Sequence, residues 1–218
     1  MKSLLLNSFI VLLLAGCSFG HYGKLIKRSH PHFPSDLTDS SLAPTPIFGD
    51  NFNSFLFKTN IRAYGRDFSG LLVTKQLHPQ DYRVIFTTEL GMKLFDFGFK
   101  DTAFTLHYCV PQFNRPALLK TIQKDIEVLL MNNLKGKKVE HYTDKAEKYD
   151  IRKMDAGQRQ NYYFIETSSQ HLVRIEQAKK RIKKVTFTLS DHKDGFPNKI
   201  LIQHSDIKLK IELNLLKR

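Results

Sequence analysis

The sequence predicts a mainly β domain: a curved antiparallel half-barrel of about ten strands covered by one or more α-helices. Three observations carry this. From Phe52 onward, apolar residues alternate with a period of two through run after run. The runs are separated by turns too short to hold a crossover helix, so consecutive strands must lie antiparallel. A single segment, from Pro116 to Leu130, breaks the alternation with a helical period.

The N-terminus reads as an address. Met1-Lys2-Ser3 is a short basic start, and Leu4–Leu14 is an apolar run of about 11 residues, too short for the roughly 20 that a spanning helix needs. It ends in Leu14-Ala15-Gly16-Cys17, which resembles the lipobox of bacterial lipoproteins. The small Ala15 and Gly16 suit a peptidase cleft, and the Cys17 thiol suits attachment of diacylglycerol. Residues 1–16 are thus a signal peptide, with Cys17 the lipidated first residue of the mature chain. Ser18 places no acidic residue after the anchor, which by resemblance to lipoprotein sorting rules points to the outer membrane, with the domain facing the periplasm. Residues 17–50, with Pro31, Pro34, Pro44 and Pro46, read as a flexible tether. Residues 51–218 are the domain.

The first strands are Phe55–Tyr64, Phe68–Leu77, Tyr82–Thr88, Met92–Phe99 and Phe104–Val110. Glu89-Leu90-Gly91 makes a tight hairpin between the third and fourth. Phe95, Phe97 and Phe99 share one face; Asp96 falls on the other, where a solvated position is expected. The helix follows, with Pro116 in its first turn, Leu118, Leu119, Ile122, Ile126, Leu129 and Leu130 on its apolar face, and Asn132-Asn133 and Gly136 ending it. Residues 135–160 are polar and yield one strand, Tyr149–Met154. Five more strands follow: Tyr162–Thr167, Leu172–Gln177, Val185–Ser190, Lys199–His204 and Ile207–Leu215, with turns at Asp194-Gly195 and Ser205-Asp206.

No nucleophile elbow, zincin helix, phosphate loop or dinucleotide fingerprint occurs, and no metal or cofactor is expected; the chain reads as a non-enzyme. His107, His171 and His204 sit in strands, where structural hydrogen bonds explain them, and Cys109 reads as a small buried hydrophobe. The net charge is +13, of which +9 lies beyond residue 115. Its densest run is Lys179, Lys180, Arg181, Lys183 and Lys184. With the chain outside the cytosol, nucleic acid is not the expected partner. Phosphate-bearing lipid headgroups are one reading of this run, a solubilising hairpin tip the other.

The lipobox, the tether, Ser69-Gly70-Leu71-Leu72-Val73-Thr74-Lys75, Thr88-Glu89-Leu90-Gly91-Met92-Lys93-Leu94 and the helix from Pro116 resemble the LolA/LolB lipoprotein-localisation family, in particular its outer-membrane receptor branch. The resemblance spans about Phe52 to Leu215. It implies an apolar cavity for lipoprotein acyl chains, received from a soluble periplasmic carrier by a monomer. Phe95, Phe97, Phe99, Leu119, Ile122, Ile126 and Leu130 would line the cavity. Leu90, with Gly91, would match the leucine that the family presses into the bilayer. The chain departs from the family in having no tryptophan and in residues 135–160. Three readings remain open: lipoprotein insertion into the outer membrane, a non-catalytic scaffold or binding lipoprotein of the same fold with a filled core, and an envelope enzyme.

Overall fold

The computed structural model describes residues 21–28, 43–49, 52–132, 134 and 137–218. The expected signal peptide, Cys17 and the remainder of the expected tether lie outside these residues. Among the described residues one antiparallel sheet holds thirteen strands, where about ten were expected. In chain order the elements are β1 (Ile26–Lys27), β2 (Ser54–Ala63), β3 (Arg66–His78), β4 (Asp81–Thr87), β5 (Lys93–Lys100), β6 (Ala103–Cys109), α1 (Pro116–Leu130), β7 (Val139–Thr143), β8 (Tyr149–Ala156), β9 (Arg159–Glu166), β10 (Leu172–Lys179), β11 (Ile182–Lys193), β12 (Phe196–His204) and β13 (Leu209–Lys217).

Across the sheet the order is β1-β7-β8-β9-β10-β11-β12-β13-β2-β3-β4-β5-β6. Two meanders, β2–β6 and β7–β13, join where β13 pairs with β2, Ile211 opposite Ile61. The sheet does not close. Its edges are β6 and β1, so the link from β6 to β7 must cross from one side of the sheet to the other, and α1 makes that crossing. The helix buries Leu118, Ile122, Ile126, Leu129 and Leu130 against the sheet. Each such side chain contributes about 1.5–3 kcal/mol when fully buried. Leu119 is only partly buried at the margin of this core.

One feature of α1 differs from expectation. Pro116 does start it, after an extended Arg115, but the helix stops at Leu130 because Met131 adopts a left-handed φ of 51°. That turn buries the Met131 side chain, whose Sδ accepts the Ile47 N–H at 3.3 Å. Tertiary packing sets this end, ahead of the Asn132-Asn133 signal.

The N-terminal segment also differs from a free tether. His21–Lys24 forms one 3-10 turn, and Ile26–Lys27 pairs with Tyr142–Thr143, covering the β7 edge. Ala43–Gly49 is docked as well: Arg152 donates to the Ala43 carbonyl at 2.9 Å, and Ile47 and Phe48 are buried in the core. The polar composition of this region hid two apolar contacts, Tyr22 and Ile47-Phe48. The 135–160 region likewise holds two strands, β7 and β8, where one was expected.

Candidate functional site

The β4–β5 turn is built to hold one side chain outward. The Thr88 N–H donates to the Met92 carbonyl at 2.8 Å, the Gly91 N–H to the Thr88 carbonyl at 3.0 Å, and the Met92 N–H to Thr88 Oγ1 at 3.1 Å. Gly91 takes a φ of 85°, which L side chains rarely adopt. Leu90 projects from this braced turn at 98% exposure, with Met92 beside it at 61%. Glu89 pairs with Lys58 at 3.2 Å across the turn's flank. At its foot, β3 overhangs β4, and a Cβ on Gly70 would lie 1.9 Å from the Thr87 carbonyl oxygen.

Asp96, expected to be solvated, is 1% exposed. Arg83 donates to it through Nε and, at 3.0 Å, through Nη2; Lys93 Nζ donates at 2.7 Å. Burial pushes its pKa up, but the hydrogen bonds and charges of Arg83 and Lys93 outweigh burial and hold it below the usual carboxylate range. The expectation failed because alternation fixes which face a residue takes and leaves open what covers that face.

Phe95, Phe97 and Phe99 face the interior together with Ile122, Ile126 and Leu130. Of these, Phe99 also borders a larger opening, while the others pack against one another in the core. The space beneath α1, bordered by Phe48, Phe57, Leu72, Val84, Ile126 and Leu130, measures about 10 Å³, room for about one water at most. Two side chains from outside the strands fill the interior. Phe113, fully buried in the β6–α1 link, lies 4.2 Å from the Phe68 ring and 5.8 Å from Phe95. Phe48 lies 5.0 Å from Phe55 and 6.0 Å from Phe196.

The larger opening lies at the C-terminal end of α1, between the β5–β6 and β8–β9 turns, and its lining mixes polar groups with the apolar Phe99, Val128, Met131 and Leu134. It measures about 620 Å³. Lys124, Lys137, Arg159 and Lys179 border it, with Asp101 and Glu127. A chain of hydrogen bonds runs along its wall: Arg159 donates to Gln177, Gln177 to Asn161 at 3.1 Å, and Asn161 to the Tyr163 hydroxyl at 3.2 Å. Nearby, the buried Asp125 carboxylate meets His204 Nε2 at 2.8 Å, tying α1 to β12. Burial pushes the Asp125 carboxyl up, with His204 and Arg159 opposing. Thus His204 makes the structural hydrogen bond expected of it. Cys109 is half-buried, with its thiol pushed up by burial.

The basic run occupies the β10–β11 turn. Lys179, Lys180 and Arg181 are exposed, and Ile182 is 62% exposed; Lys183 pairs with Glu176 at 3.8 Å and Lys184 with Asp206 at 3.2 Å. The β10–β11 and β4–β5 turns open at the same end of the strands, since β4 and β10 run in the same direction through the alternating sheet. Among the described residues, no group of three or more His, Cys, Asp or Glu could hold a metal, and no helix is long and apolar enough to cross a membrane.

No protein-family model and no curated protein matches the sequence. Solved structures do match. A domain assigned to outer-membrane lipoprotein sorting, from Vibrio parahaemolyticus, aligns with a TM-score of 0.52 at 9% identity, over 77% of this chain and 85% of that one. The chain shares that domain's fold. A LolA superfamily protein from Nitrosomonas europaea aligns with a TM-score of 0.48 at 10% identity, over 77% and 87%. A DUF1329 family protein from Desulfovibrio piger aligns at 0.48 and 6%, over 77% and 85%. At such identities the Vibrio likeness is one of fold: an open antiparallel sheet wrapped on a helix, as the strand pattern predicts.

Proposed function

We propose that this chain is a lipid-anchored envelope protein of the LolA/LolB type, which takes up lipoprotein acyl chains and places lipoproteins in the outer membrane. The observation that carries the reading is Leu90, displayed at 98% exposure on a turn whose hydrogen bonds keep it out. A leucine held in water forgoes about 1.5–3 kcal/mol of burial, which it regains in acyl chains. The shared fold of the Vibrio sorting domain and the lipobox ending in Cys17 support the same reading.

In this account Cys17 carries the anchor, a soluble periplasmic carrier delivers the cargo, and no covalent bond is made or broken. Transfer is driven by exchanging one apolar environment for another, at about 0.8 kcal/mol per methylene buried. The cargo enters where the interior can yield. Phe48 and Ile47 belong to no strand and border the helix side of the core, so in this reading their displacement would break no sheet ladder.

A second reading has its own observation. The space beneath α1 measures only about 10 Å³, which favours a scaffold or binding lipoprotein with no transported ligand. Depletion followed by fractionation of labelled lipoproteins separates the two. The first reading predicts that lipoproteins accumulate away from the outer membrane; unchanged sorting contradicts it and leaves the scaffold.

A further inference from the structure

The segment from residue 21 to residue 28 is held against the domain. The Tyr22 ring stacks on Tyr162, centroids 4.0 Å apart and planes 11° apart, and its hydroxyl donates to Glu176 at 3.0 Å. Leu25 packs into the same cluster, and the Arg28 N–H donates to the His141 carbonyl at 3.0 Å. Cys17 precedes Tyr22 by five residues, so even a fully extended chain keeps it within about 18 Å of that dock. A tether of some thirty residues would set the domain free; this one fixes which part of it faces the anchor.

The part it faces is the basic hairpin. Glu176, which accepts from Tyr22, is also bound by Arg174 at 3.2 Å and by Lys183 at 3.8 Å. Arg181 and Lys153 are among the charges acting on Tyr162, the stacking partner. At the hairpin tip Ile182 is 62% exposed between Lys179, Lys180 and Arg181 on one side and Lys183 and Lys184 on the other. The turn itself is unusual. Lys180 and Arg181 take φ of 49° and 65°, a pair of left-handed conformations that Asn-Gly normally fills. The comparable turns at Tyr64-Gly65 and Asp194-Gly195 each include a glycine. Two long cations therefore occupy a position where the backbone disfavours them.

We propose that the β10–β11 tip and the docked Tyr22 segment form one membrane-facing surface, whose partner is a bilayer rich in anionic phospholipid. The cations meet headgroup phosphates and Ile182 enters the boundary beneath them, while the short leader from Cys17 holds the tip at the bilayer. This rests on the reading that Cys17 is acylated.

The chain contains no tryptophan, so Ile182→Trp gives a single reporter. The full-length acylated protein carrying it is reconstituted in vesicles of phosphatidylcholine alone or with an equal part of phosphatidylglycerol, each containing brominated lipid. The expected result is severalfold stronger quenching in the anionic vesicles, reversed by high salt. Adding Lys180→Asn and Arg181→Gly, which supplies the usual turn pair and keeps the hairpin folded, removes most of that difference. Tyr22→Ala weakens the quenching by freeing the leader. Equal quenching in both vesicles, indifference to the turn exchange, or an emission change produced only by duplex DNA or an acidic protein overturns the proposal and leaves the Leu90 reading standing. Absence of acyl chains on Cys17 by mass spectrometry overturns the proposal together with the anchor reading.

Discussion

Two hairpin tips at the same end of the sheet carry opposite chemistry. The β4–β5 tip displays a leucine, and its backbone is at ease: Gly91 takes the left-handed position and Thr88 braces the turn from both sides. The β10–β11 tip displays cations, and its backbone is not at ease, since Lys180 and Arg181 both sit at positive φ without a glycine. In the first, the unfavourable element is solvation of an apolar side chain; in the second, it is local conformation. A polar residue at 90 would serve solubility and leave stability unchanged, whereas Asn-Gly at 180–181 would serve stability. The two departures differ in kind: one is an exposed apolar side chain, the other a pair of left-handed residues without glycine.

The comparison can be broken from the foot of the first tip. Gly70→Ala drives a methyl into the Thr87 carbonyl and should destabilise the domain by about 1–3 kcal/mol. Hydrogen exchange should show the loss at β4 and β5 with β10–β11 unchanged; uniform loss would mean the tips are not independent. Acid acts next. The Asp96 pKa is depressed in the folded state, so its contribution is present above the ordinary carboxylate range and disappears as pH falls through the folded value. Asp96→Asn should flatten the acid limb of the stability curve, as read by chemical denaturation at several pH values. The second tip responds in the other direction. Lys180→Asn with Arg181→Gly should stabilise the domain, by about 1 kcal/mol, by relieving the left-handed conformations. The smallest effect is expected from Lys58→Ala. Its exposed pair with Glu89 should matter by less than about 1 kcal/mol and vanish in salt.

The fold was legible wherever period and turn chemistry coincide. The alternation at Ile207, Leu209, Ile211 and Leu213 and the Asp194-Gly195 turn gave strands and hairpins close to those observed. Leu90 was legible as an apolar residue at a tip. What sequence could not convey was what fills the interior. Phe48 and Phe113 lie in stretches without periodicity, yet both insert among the sheet phenylalanines, so the part of that face around Phe95 is packed, while Phe99 borders an opening. Nor was the opening beside Arg159, Asn161 and Gln177 visible, because it joins the β5–β6 and β8–β9 turns, far apart in the chain. Docking of Tyr22 was hidden for a similar reason: one aromatic in a polar segment carries no pattern, and its partners lie more than a hundred residues away.

The most direct test of the account is Leu90→Glu. At a position 98% exposed the substitution should leave folding stability within about 0.5 kcal/mol of the original. Fractionation of newly made lipoproteins in cells carrying only this variant should then show at least a tenfold fall in the share reaching the outer membrane, about 1.4 kcal/mol or more in driving force. Normal delivery by a stably folded variant would contradict the account.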